Sequence, residues 1–161
     1  MQIHENLSLR QYNTFGIDVK AKLFADFTSV TQLQEILQYV HHLSPRIPRL
    51  ILGGGSNVLF TQDVNALVLK NEIGGIERIK EDEQFVYVKV GAGVNWHSFV
   101  LHCVQQGWAG VENLSLIPGN AGASPMQNIG AYGVEIKDVF EELEAWHLSL
   151  IHISEPTRQA E

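Results

Sequence analysis

Two glycine-rich stretches without any charge constrain this chain more than anything else in it. They are Gly53-Gly54-Gly55-Ser56-Asn57 and Ile117-Pro118-Gly119-Asn120-Ala121-Gly122-Ala123-Ser124-Pro125. Nine of the 14 glycines fall in four clusters: 53–55, 91 and 93, 119 and 122, and 130 and 133. Glycine suits backbone that takes positive φ or comes very close to a ligand. Neither stretch contains lysine or arginine. An anion bound there must therefore be held by backbone N–H groups, in a nest of oriented amides or at a helix N-terminus. The pattern points to a phosphate-bearing cofactor held close to bare main chain.

A chain of 161 residues, 45% hydrophobic and 18% charged, suits one globular domain or two small lobes. Its 11 Lys and Arg against 18 Asp and Glu leave a net charge of −7. That balance argues against general nucleic-acid binding, which demands clustered positive charge. No apolar run is long enough for a membrane span, and Met1-Gln2-Ile3-His4-Glu5-Asn6 lacks the basic and apolar regions of a secretory signal. Cys103 is the only cysteine, so no internal disulfide can form and a reducing cytoplasm is expected. The thiol reads as a small buried hydrophobe on a helix rather than a nucleophile. No metal site is expected. His41 and His42 are adjacent and diverge on a helix, and His97 and His102 lack i,i+4 spacing. Trp96 and Trp108 read as core, and Glu112-Asn113 as a turn or cap.

The element pattern is α+β. Residues 21–27 read as a first strand. A helix opens at Ser29, with Gln32 at capping-box spacing and an apolar stripe of Val30, Leu33, Ile36, Leu37, Val40 and Leu43. Arg49–Leu52 reads as a buried strand running into the first glycine cluster. Strand-like Val58-Leu59-Phe60 follows, then strands over 66–70 and 85–90, with Glu81-Asp82-Glu83 as a hairpin tip. A second helix starts after Asn95, points Trp96, Phe99, Val100, Cys103 and Val104 inward, and ends at Gly107. Pro125 is expected in the first turn of a short helix, and Val139–His147 alternates as a strand.

Two familiar nucleotide sites fail here. A P-loop needs lysine and then Ser or Thr after its second glycine, and no Gly-Lys-Ser/Thr occurs. The dinucleotide fingerprint needs Gly-x-Gly-x-x-Gly opening a helix, with an acidic residue at the next strand end. Here the glycines run into Ser56-Asn57 and an apolar strand-like segment, so the loop lies between strands. Ser56 and Asn57 can add side-chain hydrogen bonds to a phosphate that the amides surround.

Five segments occur in a recognisable order: Asn13-Thr14-Phe15-Gly16; Leu50 through Leu59; Val90-Gly91-Ala92-Gly93 with Trp96; Gly110-Val111-Glu112-Asn113-Leu114; and Ile117-Pro118-Gly119 through Gln127-Asn128-Ile129-Gly130-Ala131-Tyr132-Gly133. Together they closely resemble the flavin-binding domain of the UDP-N-acetylenolpyruvoylglucosamine reductase family, over about residues 10–147. Parts such as the Ile-Pro-Gly stretch are shared with a wider group of FAD oxidases of the vanillyl-alcohol-oxidase (PCMH) type. The resemblance implies a two-lobed FAD domain over 13–147, after a lead of 1–12, with lobes of about 13–70 and 71–147 and the second incomplete. It implies that Gly53, Gly54, Gly55, Ser56, Asn57, Val58 and Leu59 wrap the pyrophosphate. Ile117, Pro118, Gly119, Gly122, Ala123, Ser124, Met126, Asn128 and Gly130 would line the flavin and its phosphates. Some members carry a hydroxyl where this chain has Ala123. NADPH would be the hydride donor and UDP-N-acetylglucosamine enolpyruvate the substrate. The family's serine proton donor, and the arginine and glutamate that stabilise the enolate, are expected beyond the point where the chain matches. No catalytic residue is therefore expected in this chain. Another FAD-dependent oxidase or dehydrogenase on the same scaffold, or a non-catalytic flavin- or nucleotide-binding module, are the alternatives.

Residues 148–158 break the preceding pattern and resemble the conceptual translation of a transposon-end adapter used in DNA library preparation. The native sequence is expected to end near His147 or Ser149, leaving 148–161 as a non-native tail.

Overall fold

A computed structural model describes residues 2–148 and the backbone of residues 157–159. Its first part is a four-stranded sheet in the order β1-β2-β4-β3, built from β1 (His4–Ser8), β2 (Lys20–Phe27), β3 (Arg49–Leu52) and β4 (Val64–Asn71). β1 runs antiparallel to β2, whereas β2, β4 and β3 are mutually parallel. The helix α1 (Val30–Leu43) crosses from β2 to β3. Ser29 Oγ accepts the Gln32 amide at its start, and Gln32 Oε1 accepts the Thr28 amide in return. Leu33, Ile36, Leu37 and Val40 pack on Ala25, Phe27, Leu67 and Leu69 of the sheet. Leu43, expected on the same stripe, is exposed because the helix ends beyond the sheet's cover.

The other sheet face is covered too. Leu9, Val19 and Phe60 pack there with Ala21, Phe24, Leu52 and Val68. Strict alternation would put Ala21 and Phe24 on opposite faces. Both nonetheless join this cluster, Ala21 at the start of β2 close to Val19, and the register shift opposite Ala21–Leu23 places its extra residue in β4, between Val64 and Leu67. Two-sided burial suits the near-continuous apolar run of β4.

The second core centres on α2 (Trp96–Gln105), whose Trp96, Phe99, Val100 and Cys103 meet Val111, Leu114, Ala121 and Ile136. Val104, expected to point inward, is 54% exposed, since it turns away from the buried stripe. The hairpin of β5 (Ile76–Glu81) and β6 (Val86–Val90) lends Ile76, Val88 and Val90 to this core. Gly107 ends α2 with φ +75. β7 (Gly130–Ala131) and β8 (Val134–Glu135) form a minimal hairpin.

Four local expectations need correction. Residues 4–8, read as part of a lead, form a sheet edge; their sequence hardly alternates, and pairing with β2 decides their conformation. Val58–Phe60 is loop, anchored by burial of Phe60 and by the partly buried Val58 packed on the same core. Pro125 follows a 3-10 turn at Ala121–Ala123 instead of opening a helix. Of Val139–His147 only β9 (Leu143–Ala145) is strand. Val139, Phe140 and Leu143 are all exposed, so the alternation has no sheet face to pack on. β9 pairs with the backbone of β10 (Thr157–Gln159). Of the tail expected to be non-native, Leu148 and this backbone are described, and Leu148 packs against the α1 core. The remainder lies outside the described residues.

Candidate functional site

The first glycine loop leaves the carboxyl end of β3, beside the carboxyl ends of the parallel strands β2 and β4. Ligands of open parallel sheets bind at such ends. Two contacts fix its shape. The Gly55 carbonyl accepts the Thr14 amide at 3.2 Å and Thr14 Oγ1 at 3.4 Å. Asn13 holds that partner segment in place: its Nδ2 donates to Leu9 and Ile17 carbonyls, and its Oδ1 accepts the Ile17 amide. With its carbonyl tied back, Gly55 takes φ +68.

The amides of Gly53 through Leu59 donate to no acceptor among the described residues. Backbone N–H groups are nearly always paired in folded proteins or left to water or ligand. A run of them with no cation in the loop is the donor set that an oriented nest presents to an anion. At Gly53 nothing lies within 4 Å of where a β-carbon would stand. The chain itself does not require glycine there.

The second stretch meets the first directly. A β-carbon on Gly54 would come 2.9 Å from Asn120 Oδ1 and 3.3 Å from Gly119 Cα. One on Gly119 would stand 3.4 Å from Ser56 Oγ. The third glycine cluster completes the junction. Asn120 Nδ2 donates to the Gly93 carbonyl, and the Ala121 and Gly122 amides donate to Val94 and Ala92. A β-carbon on Gly122 would meet that of Ala92 at 2.6 Å. Three glycine clusters, 53–55, 91–93 and 119–122, therefore interlock.

The two stretches differ in what they offer a ligand. The amides of Ala121, Gly122, Ala123 and Ser124 all donate within the chain, as do those of Gln127 and Asn128. The first turn of α2 is similarly engaged: Trp96 donates to Gly119, and Ser98 donates to Asn95 Oδ1. That helix terminus is capped by protein rather than open to an anion. Among the described residues the first loop thus keeps an unbroken run of amides without an acceptor, whereas in the second only those of Ile117, Gly119, Asn120 and Met126 lack one. Ser124 is buried with its hydroxyl on the Ala121 carbonyl at 2.7 Å. Pro118, Asn120 and Ala123 line a small cavity with Trp96 and Ile129. Ile117 packs on the α2 core. Met126 is 88% exposed and Leu59 63%. Asn128, at φ +40, donates to Glu135 Oε2 at 3.0 Å, while Gly130 begins β7. Val58 packs under the loop against the β-sheet.

Electrostatics around this junction are muted. Cys103 is buried, and burial pushes its thiol up to about 11. That excludes a thiolate nucleophile at neutral pH. Glu112 accepts the Gly110 amide at 2.6 Å, the turn role that its sequence suggested. Trp96 is core, with Nε1 donating to the Leu114 carbonyl at 2.8 Å. Sequence reasoning gave no role of their own to Thr14 and Asn120, the second of which lies within the stretch from Ile117 to Ser124. Their signal was a polar side chain beside glycines, which marks loop-to-loop stapling as readily as ligand contact.

Residues 21–148 match the family model described as an FAD binding domain. Among curated proteins, the chain is 48% identical over 151 residues to the UDP-N-acetylenolpyruvoylglucosamine reductase of Amoebophilus asiaticus, covering 92% of this chain and 43% of that protein. It is 51% identical over 145 residues to the enzyme of that name from Pseudomonas fluorescens, covering 90% and 42%. The chain thus spans less than half the length of these relatives. The crystal structure of UDP-N-acetylenolpyruvylglucosamine reductase from Thermus caldophilus superposes with a TM-score of 0.72 at 23% identity, over 99% of this chain and 53% of that one. That likeness is one of fold.

Proposed function

Because the chain belongs to the FAD-binding domain family, we propose that it is the cofactor-holding part of a UDP-N-acetylenolpyruvoylglucosamine reductase. Such an enzyme uses NADPH to reduce UDP-N-acetylglucosamine enolpyruvate to UDP-N-acetylmuramate for peptidoglycan, and we place it in the cytoplasm. The open amides of Gly53 through Leu59 carry the cofactor assignment. A diphosphate must be neutralised, this loop has no cation, and the chain as a whole is acidic. Oriented amides are the means left.

In this reading Gly53, Gly54 and Gly55 bring bare main chain to the diphosphate, and Ser56 and Asn57 add side-chain hydrogen bonds. Ile117, Pro118 and Gly119, with Gly122, Ala123 and Ser124, form the wall that orients the flavin. Met126, Asn128 and Gly130 extend it. Bound there, FAD supplies a two-electron carrier between NADPH and an enolpyruvyl double bond. This chain binds, orients and excludes water. The proton donor and the enolate-stabilising charges belong to sequence outside it.

The test uses the full-length protein that carries this sequence. NADPH absorbance should fall only when UDP-N-acetylglucosamine enolpyruvate is added, and the purified protein should carry flavin. A protein that holds no flavin and leaves NADPH untouched sinks the proposal.

A further inference from the structure

His97 is the second residue of α2, and its Nδ1 lies 3.3 Å from the Leu116 amide nitrogen and 3.0 Å from Ser115 Oγ. An amide N–H can only donate, so Nδ1 accepts there. The imidazole proton then sits on Nε2, and the Ser115 hydroxyl is a second donor to Nδ1. Leu116 takes φ +64 with 75% of its surface exposed. Left-handed backbone is disfavoured for a residue with a β-carbon, and packing does little to hold this one. The bond to His97 is what the structure offers in its place. Leu116 directly precedes Ile117-Pro118-Gly119, so its backbone angles aim the second glycine stretch.

We propose that His97 is a positioning residue whose neutral imidazole holds Leu116 in left-handed backbone, fixes the entry of the second glycine stretch, and makes cofactor uptake sensitive to protonation of this one side chain. The inference rests on assigning that stretch to FAD. Protonated His97 would carry N–H at Nδ1, facing the N–H of Leu116. Ser115 could rotate its hydroxyl and accept, but the amide could not. Acid therefore releases Leu116 and leaves Ser115 in place. Few other ionisable groups lie on the elements involved. His102 on α2 stands edge-on to Trp108, and Glu112, before Ser115, accepts the Gly110 amide. No carboxylate pairs with His97 among the described residues.

Two substitutions in the full-length protein separate geometry from charge. In His97→Asn the carboxamide oxygen can stand near the Nδ1 position and does not titrate. His97→Gln carries its acceptor one bond further, near Nε2. FAD dissociation constants are read by flavin fluorescence at about pH 8 and about pH 5.5. Wild type should weaken about tenfold on acidification, the scale of one hydrogen bond. His97→Asn should bind like wild type at the higher pH and stay flat. His97→Gln should bind about tenfold more weakly at both. His97→Asn with the wild-type pH response, or His97→Gln binding like wild type, overturns the proposal. If His97→Gln fails to fold, the comparison of wild type with His97→Asn decides. Hydrogen exchange of the Leu116 amide in cofactor-free protein gives a readout independent of flavin: slow in wild type and His97→Asn, fast in His97→Gln. Wild type that takes up no FAD at either pH removes the cofactor assignment itself. The exchange comparison then judges His97 alone, and equal rates in wild type and His97→Gln overturn its role.

Discussion

A β-carbon on Gly55 would overlap the carbonyl of Tyr12. The tightest glycine of the first loop is thus set by a neighbouring segment of the same chain, and the loop's shape depends on the Tyr12–Thr14 segment behind it. Backbone carbonyls do not yield as flexible side chains do.

Gly55→Ala should therefore damage the fold before it touches the cofactor. A left-handed alanine and the displacement of Tyr12 together cost about 2–5 kcal/mol. Urea unfolding of the flavin-free protein measures it. A midpoint equal to wild type would show that Tyr12 moves aside freely.

Gly53→Val should do the opposite. Its β-carbon meets no protein atom within 4 Å, so folding stability should stay within about 1 kcal/mol of wild type. FAD affinity should fall at least about tenfold because the side chain stands beside the open amides. Unchanged flavin content in that variant would locate the diphosphate elsewhere.

Cys103 should be silent toward a thiol reagent at about pH 8 in folded protein and react once the protein is unfolded. Its burial raises the thiol from 9.0 to about 11. The sign follows from linkage: the folded state disfavours the thiolate, so this contribution is intact below 9.0 and is lost as pH rises toward 11. Cys103→Ala should flatten the alkaline fall in stability. An identical alkaline profile in Cys103→Ala would assign that fall to other groups.

Trp96→Phe should cost about 1–3 kcal/mol, because it leaves the Leu114 carbonyl without the indole donor at 2.8 Å. The denaturant midpoint should drop while the slope stays the same. The 3-10 turn at Glu112–Leu114 precedes Ser115 and Leu116, so flavin affinity should weaken with it. Full stability in Trp96→Phe would mean that water replaces the indole.

Much of the fold was written locally. The stripe from Leu33 to Val40 and the Ser29 cap specify α1 because burial on one face needs only helical spacing. Trp96, Phe99, Val100 and Cys103 do the same for α2. What failed locally were segments whose conformation belongs to a partner. His4–Ser8 is strand because β2 offers it an edge, and Val139–Phe140 is not because no strand among the described residues does. At the candidate site, the glycine clusters were legible, and which of their amides find an acceptor was not.

The sequence alone determined that any anion held by these stretches must be held by main chain, since it places glycines and no cation there. Only the tertiary structure decided which amides remain available. Among the described residues the amides of Gly53 to Leu59 meet no acceptor, whereas Ala121 to Ser124 turn theirs inward onto the chain. The reason is physical: whether an amide is free depends on which carbonyl folding brings near it, and those carbonyls belong to Asn120 and Ala121 and, across the junction, to Ala92 and Val94.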